Sequence, residues 1–258
     1  LSREFAGKKY DFVVHLAAQS SVPESFKYPR DTFEINFMGT LNVLTALQGT
    51  GFKGRMLYIG SGDVYGLLAE HELPVSEERP VKPNNPYSVS KVAAEALCYQ
   101  WSQTGEYEII MARPFNHIGP GQSERFVLPD FAKQIIEISV RRRDPVLSVG
   151  DIDVTRDFTD VRDIVRAYRL LMERGANGEV YNVCSGREYS IRSLLLKMMD
   201  IASVGAEILQ DPKRLRPSEQ RRIFGSFNKL RRDTGWQPEI PIEKTLIDIL
   251  DDWRNRLL

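Results

Sequence analysis

Short apolar runs and longer stretches of helical spacing alternate along most of this chain. Residues 10–16, Arg55–Ile59, residues 108–112 and Val180–Val183 are too short and too continuously apolar for amphipathic helices, and read as buried parallel strands. Between them, residues 32–47 set Ile35, Met38, Leu41, Val43 and Leu44 along an apolar side that Gly49 and Gly51 close. A second helix is predicted over residues 86–103, with Pro86 in its first turn and Val89, Val92, Ala93 and Ala96 as its packing face. Strands separated by crossings of about a dozen residues or more imply β-α-β units. The predicted fold is α/β, a Rossmann-type doubly wound parallel sheet.

Residues 70–85 are polar and proline-rich and read as a loop. From Asn116 the composition turns to Gly119, Pro120 and Gly121, so the chain is expected to leave the sheet, return over residues 156–183, and build a smaller C-terminal region. In the return, Val161, Ile164, Val165, Tyr168, Leu171 and Met172 repeat at helical spacing and are expected to be core. Ser190 can cap a helix over Ile191–Ile201, and Ile242–Leu257 is amphipathic through Leu246, Ile249, Leu250 and Trp253.

Composition narrows the functional classes. With 42% hydrophobic and 27% charged residues over 258 positions, the chain can bury a sizeable core. Lys plus Arg equals Asp plus Glu at 35 each, so no net field recruits nucleic acid, and an anionic ligand needs locally placed arginines. No apolar run approaches the roughly 18 residues of a membrane span, and no signal-peptide pattern is present. Cys98 and Cys184 have no nearby second thiol and are expected to be buried and free, in a reducing, cytoplasmic setting. His15, His71 and His117 offer no metal-ligand spacing, so no metal is expected.

The chemistry concentrates in two segments. Tyr87 and Lys91 stand four apart, one helical turn, where a lysine cation is expected to favour the phenolate. Tyr-x-x-x-Lys alone is carried by many surface helices, but Arg55–Ile59 ends upstream in Gly60-Ser61-Gly62, and strand C-termini are where open α/β sheets place their chemistry. Together these segments supply a phenol, an ammonium and a hydroxyl.

Five motifs in combination resemble the extended short-chain dehydrogenase/reductases that act on nucleotide-diphosphate sugars. They are His15-Leu16-Ala17-Ala18, Gly60-Ser61-Gly62-Asp63-Val64-Tyr65-Gly66, Tyr87-x-x-x-Lys91, Arg113-Pro114-Phe115-Asn116-His117 and Arg156-Asp157-Phe158-x-Asp160-Val161. The resemblance covers nearly the whole chain. It implies NAD(P)H-dependent reduction of the C4 ketone of a GDP-4-keto-6-deoxy sugar, with a dehydratase or epimerase as the nearest alternative and a silent nucleotide-sugar-binding protein as the alternative of another class. Tyr87 would give the proton, Ser61 would bond the carbonyl oxygen, and Lys91 would tune Tyr87 and hold the nicotinamide ribose. Leu16, Ala17, Ala18 and Pro114 would lie along the NADP or NAD cofactor. Gly62, Asn116, Arg156, Arg216 and Glu219 would meet the GDP-sugar, with the two arginines on its diphosphate and Glu219 on a ribose hydroxyl.

Taken alone, Ser61 and Asn116 also read as turn residues, and His117 as a packed loop residue. Arg141, Arg142, Arg143, Arg221, Arg222, Arg231 and Arg232 read as solvated. The resemblance further implies a homodimer. It divides the chain into a cofactor domain, 1–115 with 156–183, and a nucleotide-sugar region, 116–155 with 184–258. Family members open with a glycine-rich phosphate loop about fifty residues upstream of the strand at 10–16, so a preceding segment is expected. Gly62 and Asp63 stand where dehydratases resembling this chain carry an acidic or hydroxyl residue and a glutamate, which favours reduction over elimination.

Overall fold

A computed structural model describes residues 2–5, 7, 9–214 and 220–258. The chain divides into two units. The first comprises Leu1–Phe115, Val165–Val183 and Gly225–Gln237, and the second Asn116–Ile164, Cys184–Phe224 and Pro238–Leu258. Compared with the expected division, residues 156–164 fall in the second unit and residues 225–237 in the first.

The first unit is built on a parallel sheet in the order Phe12–His15, Arg55–Ile59, Glu108–Pro114, Val180–Val183. Leu57 stands opposite both Val14 and Ile110, and Ala112 stands opposite Tyr181. This is a Rossmann-like α/β arrangement. The two middle strands are buried through Met56, Leu57, Ile109, Ile110 and Met111. The first strand is shorter than the 10–16 expected and only partly buried. Phe12 and Val14 are 52% and 42% exposed on one face of this strand, whereas Leu57 and Ile110 on the same sheet face are fully buried.

Two helices of this unit bury faces that apolar periodicity did not select. Residues 29–49 form one helix whose middle turn, Glu34–Met38, is wound as a π-helix. The wider turn shifts the phase of the face, so Asn36 and Thr40 point inward while Ile35 and Met38 are exposed. In the helix Pro86–Thr104, the buried side chains are Tyr87, Ser88, Ser90, Lys91, Ala94, Glu95, Cys98 and Ser102. The face expected to pack is turned outward instead: Val89 and Ala96 are exposed and Val92 and Ala93 half-buried. Polar side chains can occupy the buried face because each finds a partner within the unit.

The second unit has an apolar core of its own, with Leu128, Phe131, Ile135, Leu147, Leu195, Met198, Leu246, Ile249 and Leu250 among its buried members. They come mainly from the helices Val127–Ser139, Ile191–Ile201 and Ile242–Leu257. Ser190 caps the second of these by accepting from Ser193 N. Asn116–Ile118 pairs in parallel with Phe158–Asp160, and Thr155–Arg156 pairs antiparallel with Tyr189–Ser190. In the helix Val161–Arg174, Ile164, Leu171 and Met172 are core as expected, but Val165 is 60% exposed. Both cysteines are buried and free. Among the described residues no helix is long and apolar enough to cross a membrane.

Candidate active site

The parallel strands of the first unit end together at His15, Ile59 and Pro114, and their continuations carry most of the residues singled out in the sequence. Leu16 and Ala17 are exposed and Ala18 half-buried beyond the first strand end. Pro114 is buried and stands opposite Val183. Ser61 follows the second strand in extended conformation and caps the 3₁₀ turn Gly62–Tyr65, its hydroxyl accepting from Asp63 N at 3.2 Å.

The helix Pro86–Thr104 delivers the other two groups. Its start is fixed by Asn85, whose Oδ1 accepts from Ser88 N at 2.8 Å, and by Pro86 in the first turn. Asn85 also donates from Nδ2 to Asp63 Oδ2 at 3.2 Å, joining this cap to the Ser61 turn. The Ser61 hydroxyl acts on the Tyr87 phenol, favouring its ionised form. Lys91 Nζ donates to Ile59 O at 2.8 Å and lies 6.0 Å from the centre of the Tyr87 ring. Ser61, Tyr87 and Lys91 are thus gathered at one strand end.

Their electrostatics differ from the expectation that Lys91 lowers Tyr87. Burial pushes the Tyr87 phenol up to about 12; the Ser61 hydrogen bond works against that rise, and the Asp63 charge adds to it. Burial also depresses Lys91 to about 8. Both shifts oppose charge in a confined site. Tyr87 is therefore a neutral phenol through the neutral range, a state suited to giving a proton rather than taking one.

Three groups to which the sequence reading assigned no role shape this site. Asn36, in the π-turn, accepts from Gln19 N at 2.8 Å and donates to Gln19 O at 3.0 Å and to Ser90 Oγ at 2.9 Å. Ser90 in turn donates to Tyr87 O at 2.7 Å, so the loop after Ala18 is tied to the tyrosine's own turn. His15 Nε2 meets Thr40 Oγ1 at 3.1 Å, and Thr40 donates its only hydroxyl proton to Asn36 O at 2.6 Å. His15 must then carry its proton on Nε2. Burial, with the Lys91 charge second, lowers His15 to about 4. The third group is an ion pair, Arg113 with Glu95. The available signal for all three was a polar residue interrupting an apolar pattern, visible in the sequence but without a partner there.

Gly62 is enclosed. A Cβ at this position would lie 2.9 Å from Cδ2 and Cε2 of the Phe115 ring, so no side chain fits at 62 unless Phe115 moves.

Asn116 and Arg156 belong to the second unit. Asn116 stands opposite Phe158, two residues along the chain from Arg156, and is exposed. Arg156 Nη1 donates to Thr155 O at 2.7 Å. The neighbouring Asp157 is fully buried and accepts from Ser185 N, Ser185 Oγ and Gly186 N at 2.6–3.0 Å. Arg216 and Glu219 lie outside the described residues. Arg222, expected to be solvated, forms a two-pronged pair with Glu188 at 2.8 Å.

Known proteins resemble this chain along nearly its whole length. Residues 1–249 match the family model described as GDP-mannose 4,6 dehydratase. GDP-6-deoxy-D-mannose reductase of Pseudomonas aeruginosa is 53% identical over 247 residues, covering 96% of this chain and 81% of that protein. The solved structure of RMD from Pseudomonas aeruginosa complexed with NADPH superposes with a TM-score of 0.94 at 51% identity, covering 97% of this chain and 83% of that one. UDP-glucose 4-epimerase of Thermotoga maritima, solved with UDP-glucose, superposes at 0.90 with 26% identity, covering 100% and 81%.

Proposed function

We propose a function from the premise that the chain belongs to the GDP-mannose 4,6 dehydratase family of extended short-chain dehydrogenase/reductases. It is an NADPH-dependent reductase that converts the C4 ketone of GDP-4-keto-6-deoxy-D-mannose to the alcohol, giving GDP-D-rhamnose. A bound nicotinamide supplies the hydride. The chain's own residues must meet the negative charge that grows on the C4 oxygen, with donors already aimed at it. Ser61 Oγ and Tyr87 Oη are two such donors, and Tyr87 gives up its proton as the alkoxide forms.

The donor set fits the cofactor. Lys91 uses one N–H on Ile59 O and has two more to offer the nicotinamide ribose. The short side chains of Ala17 and Ala18 leave the strand end open to close approach, with Leu16 and Pro114 completing the cofactor's contacts. For the nucleotide-sugar, Gly62 and Asn116 are the small and amide contacts. Arg156 and Arg216 are diphosphate contacts through planar guanidinium forks, and Glu219 is the ribose contact.

The observation that carries reduction over elimination is Gly62 beneath the Phe115 ring. Loss of water needs a positioned acid and base in addition to the carbonyl donors. Position 62 holds no proton-transfer group and has no room for one, while the Asp63 carboxylate is engaged with Asn85. Full-length protein mixed with GDP-4-keto-6-deoxy-D-mannose and NADPH should consume NADPH and form GDP-D-rhamnose. With GDP-mannose and NADP⁺ it should form no 4-keto-6-deoxy sugar, and rapid formation of that product would replace the assignment with a dehydratase.

The assembly is a homodimer that uses the outward apolar residues Ile35, Met38, Val89, Ala96 and Tyr99 of two helices that pack side by side. Sedimentation of the wild type and of Tyr99→Glu tests this, with dissociation expected in the variant. Two buried free thiols support a reducing, cytoplasmic location.

A further inference from the structure

The Arg113 side chain ends in a buried junction. Its Nε and Nη2 donate to the two Glu95 carboxylate oxygens at 2.9 and 2.5 Å, and its Nη1 donates to Tyr65 Oη at 2.9 Å. Its guanidinium carbon lies 4.9 Å from the Tyr65 ring centre. Tyr65 Oη donates to Asn182 Oδ1 at 2.7 Å, and Asn182 Nδ2 donates to Val75 O at 3.1 Å. Arg113, Glu95, Tyr65 and Asn182 are each less than a tenth exposed.

Each partner belongs to an element that carries part of the chemistry. Glu95 is one turn beyond Lys91 and two beyond Tyr87 on the same helix. Tyr65 ends the 3₁₀ turn that Ser61 caps. Gly60, just before Ser61, donates to Ala112 O at 2.7 Å and runs directly over the ion pair. A Cβ there would lie 2.9 Å from Ala112 O, 3.5 Å from Glu95 Oε2 and 3.7 Å from Arg113 Cγ. Stability alone does not require such a pair, since apolar residues of equal volume often serve as well in a core. A planar fork of N–H donors adds directional contacts that tie a helix, a turn and a strand at set distances.

We propose that Arg113, through Glu95 and Tyr65, is a positioning residue that sets the Ser61 hydroxyl within hydrogen-bond reach of Tyr87. Its guanidinium is buried and engaged with Glu95 and Tyr65, so it acts through these partners. This rests on the reductase reading for its kinetic arm and on geometry alone for its structural arm. Loosening the junction leaves binding intact and misplaces the donors, and small displacements of reacting groups are costly in rate.

The experiment uses Tyr65→Phe, which removes one hydroxyl and keeps the packing, and Arg113→Lys, which keeps the charge and loses the fork. In the full-length enzyme each should lower kcat by about tenfold or more with KM for the sugar nucleotide within about twofold. Tyr65→Phe should add nothing further in a Ser61→Ala background, because both changes act through the same hydroxyl. Full additivity, or a Tyr65→Phe enzyme that keeps the wild-type kcat, overturns the proposal. Crystal structures supply the second arm, by the Ser61 Oγ to Tyr87 Oη distance in wild type and in Tyr65→Phe. A lengthened distance supports the junction's role even for a protein that turns over some other substrate. An unchanged distance overturns it, whatever the activity.

Discussion

The charges beside the candidate active site in the first unit and the arginine pairs of the second unit sit in different settings. In the first, Arg113 and Glu95 are paired in the interior and Lys91 is buried on a backbone carbonyl. In the second, the arginine pairs Arg192–Asp153, Arg222–Glu188 and Arg214–Asp130 have arginine side chains 41–46% exposed. Of its buried acids, Asp157 takes backbone N–H groups and a hydroxyl, and Asp160 pairs with the exposed Arg162. A buried charge loses its hydration and keeps its place only while every partner holds; an exposed arginine can exchange its partner for an anion at little cost. Fixed charge suits proton and hydride chemistry, and exchangeable charge suits capture of a diphosphate.

The sharpest break in this comparison is at Tyr87. Tyr87→Phe in the full-length enzyme should lower kcat by about two to four orders of magnitude with GDP affinity nearly unchanged, since only the transferred proton is lost. Steady-state rates and calorimetric GDP binding check both halves.

Next come the ion pairs. Glu95→Ala leaves the Arg113 guanidinium buried beside one remaining partner and should destabilise by about 3–5 kcal/mol. Arg192→Ala, in the exposed pair with Asp153, should leave the denaturation midpoint where it is. Denaturant titrations of the two variants measure the contrast directly, and equal losses would abolish the distinction between the units.

A third test uses pH. His15 titrates at about 4 in the folded chain against 6.5 ordinarily, so between those values the unfolded chain binds the extra proton. Stability is therefore complete above pH 6.5 and is lost as pH falls towards 4, by up to about 3 kcal/mol. Melting curves across that window should show the slope in the wild type and lose most of it in His15→Gln.

The smallest change with a clear expectation is Gly62→Ala. One methyl group forces the Phe115 ring aside and should cost about 1–3 kcal/mol, with slower reduction and no dehydratase activity gained. A variant as stable and active as the wild type would show that the ring moves freely, and the argument against elimination would lose its steric half.

The strands of the main sheet, the parallel α/β class, the starts of two helices and the three residues gathered at one strand end were legible in the chain itself. Each depends on local spacing: continuous short apolar runs, Pro and Ser at helix starts, and the four-residue step from Tyr87 to Lys91. Which face of a helix is buried was not legible where chemistry overrides hydrophobicity. Val89 and Ala96 face outward and Lys91 and Glu95 inward because the partners of the inward groups, Ile59 O and Arg113, come from strands 32 and 18 positions away in sequence. The π-turn that brings Asn36 inward has the same origin, since its polar group is satisfied only by Gln19 and Ser90. The balance between Lys91 and burial at Tyr87 was also a tertiary matter. Spacing indicated a nearby cation, but only the folded surroundings made desolvation the stronger effect, and so left Tyr87 holding its proton.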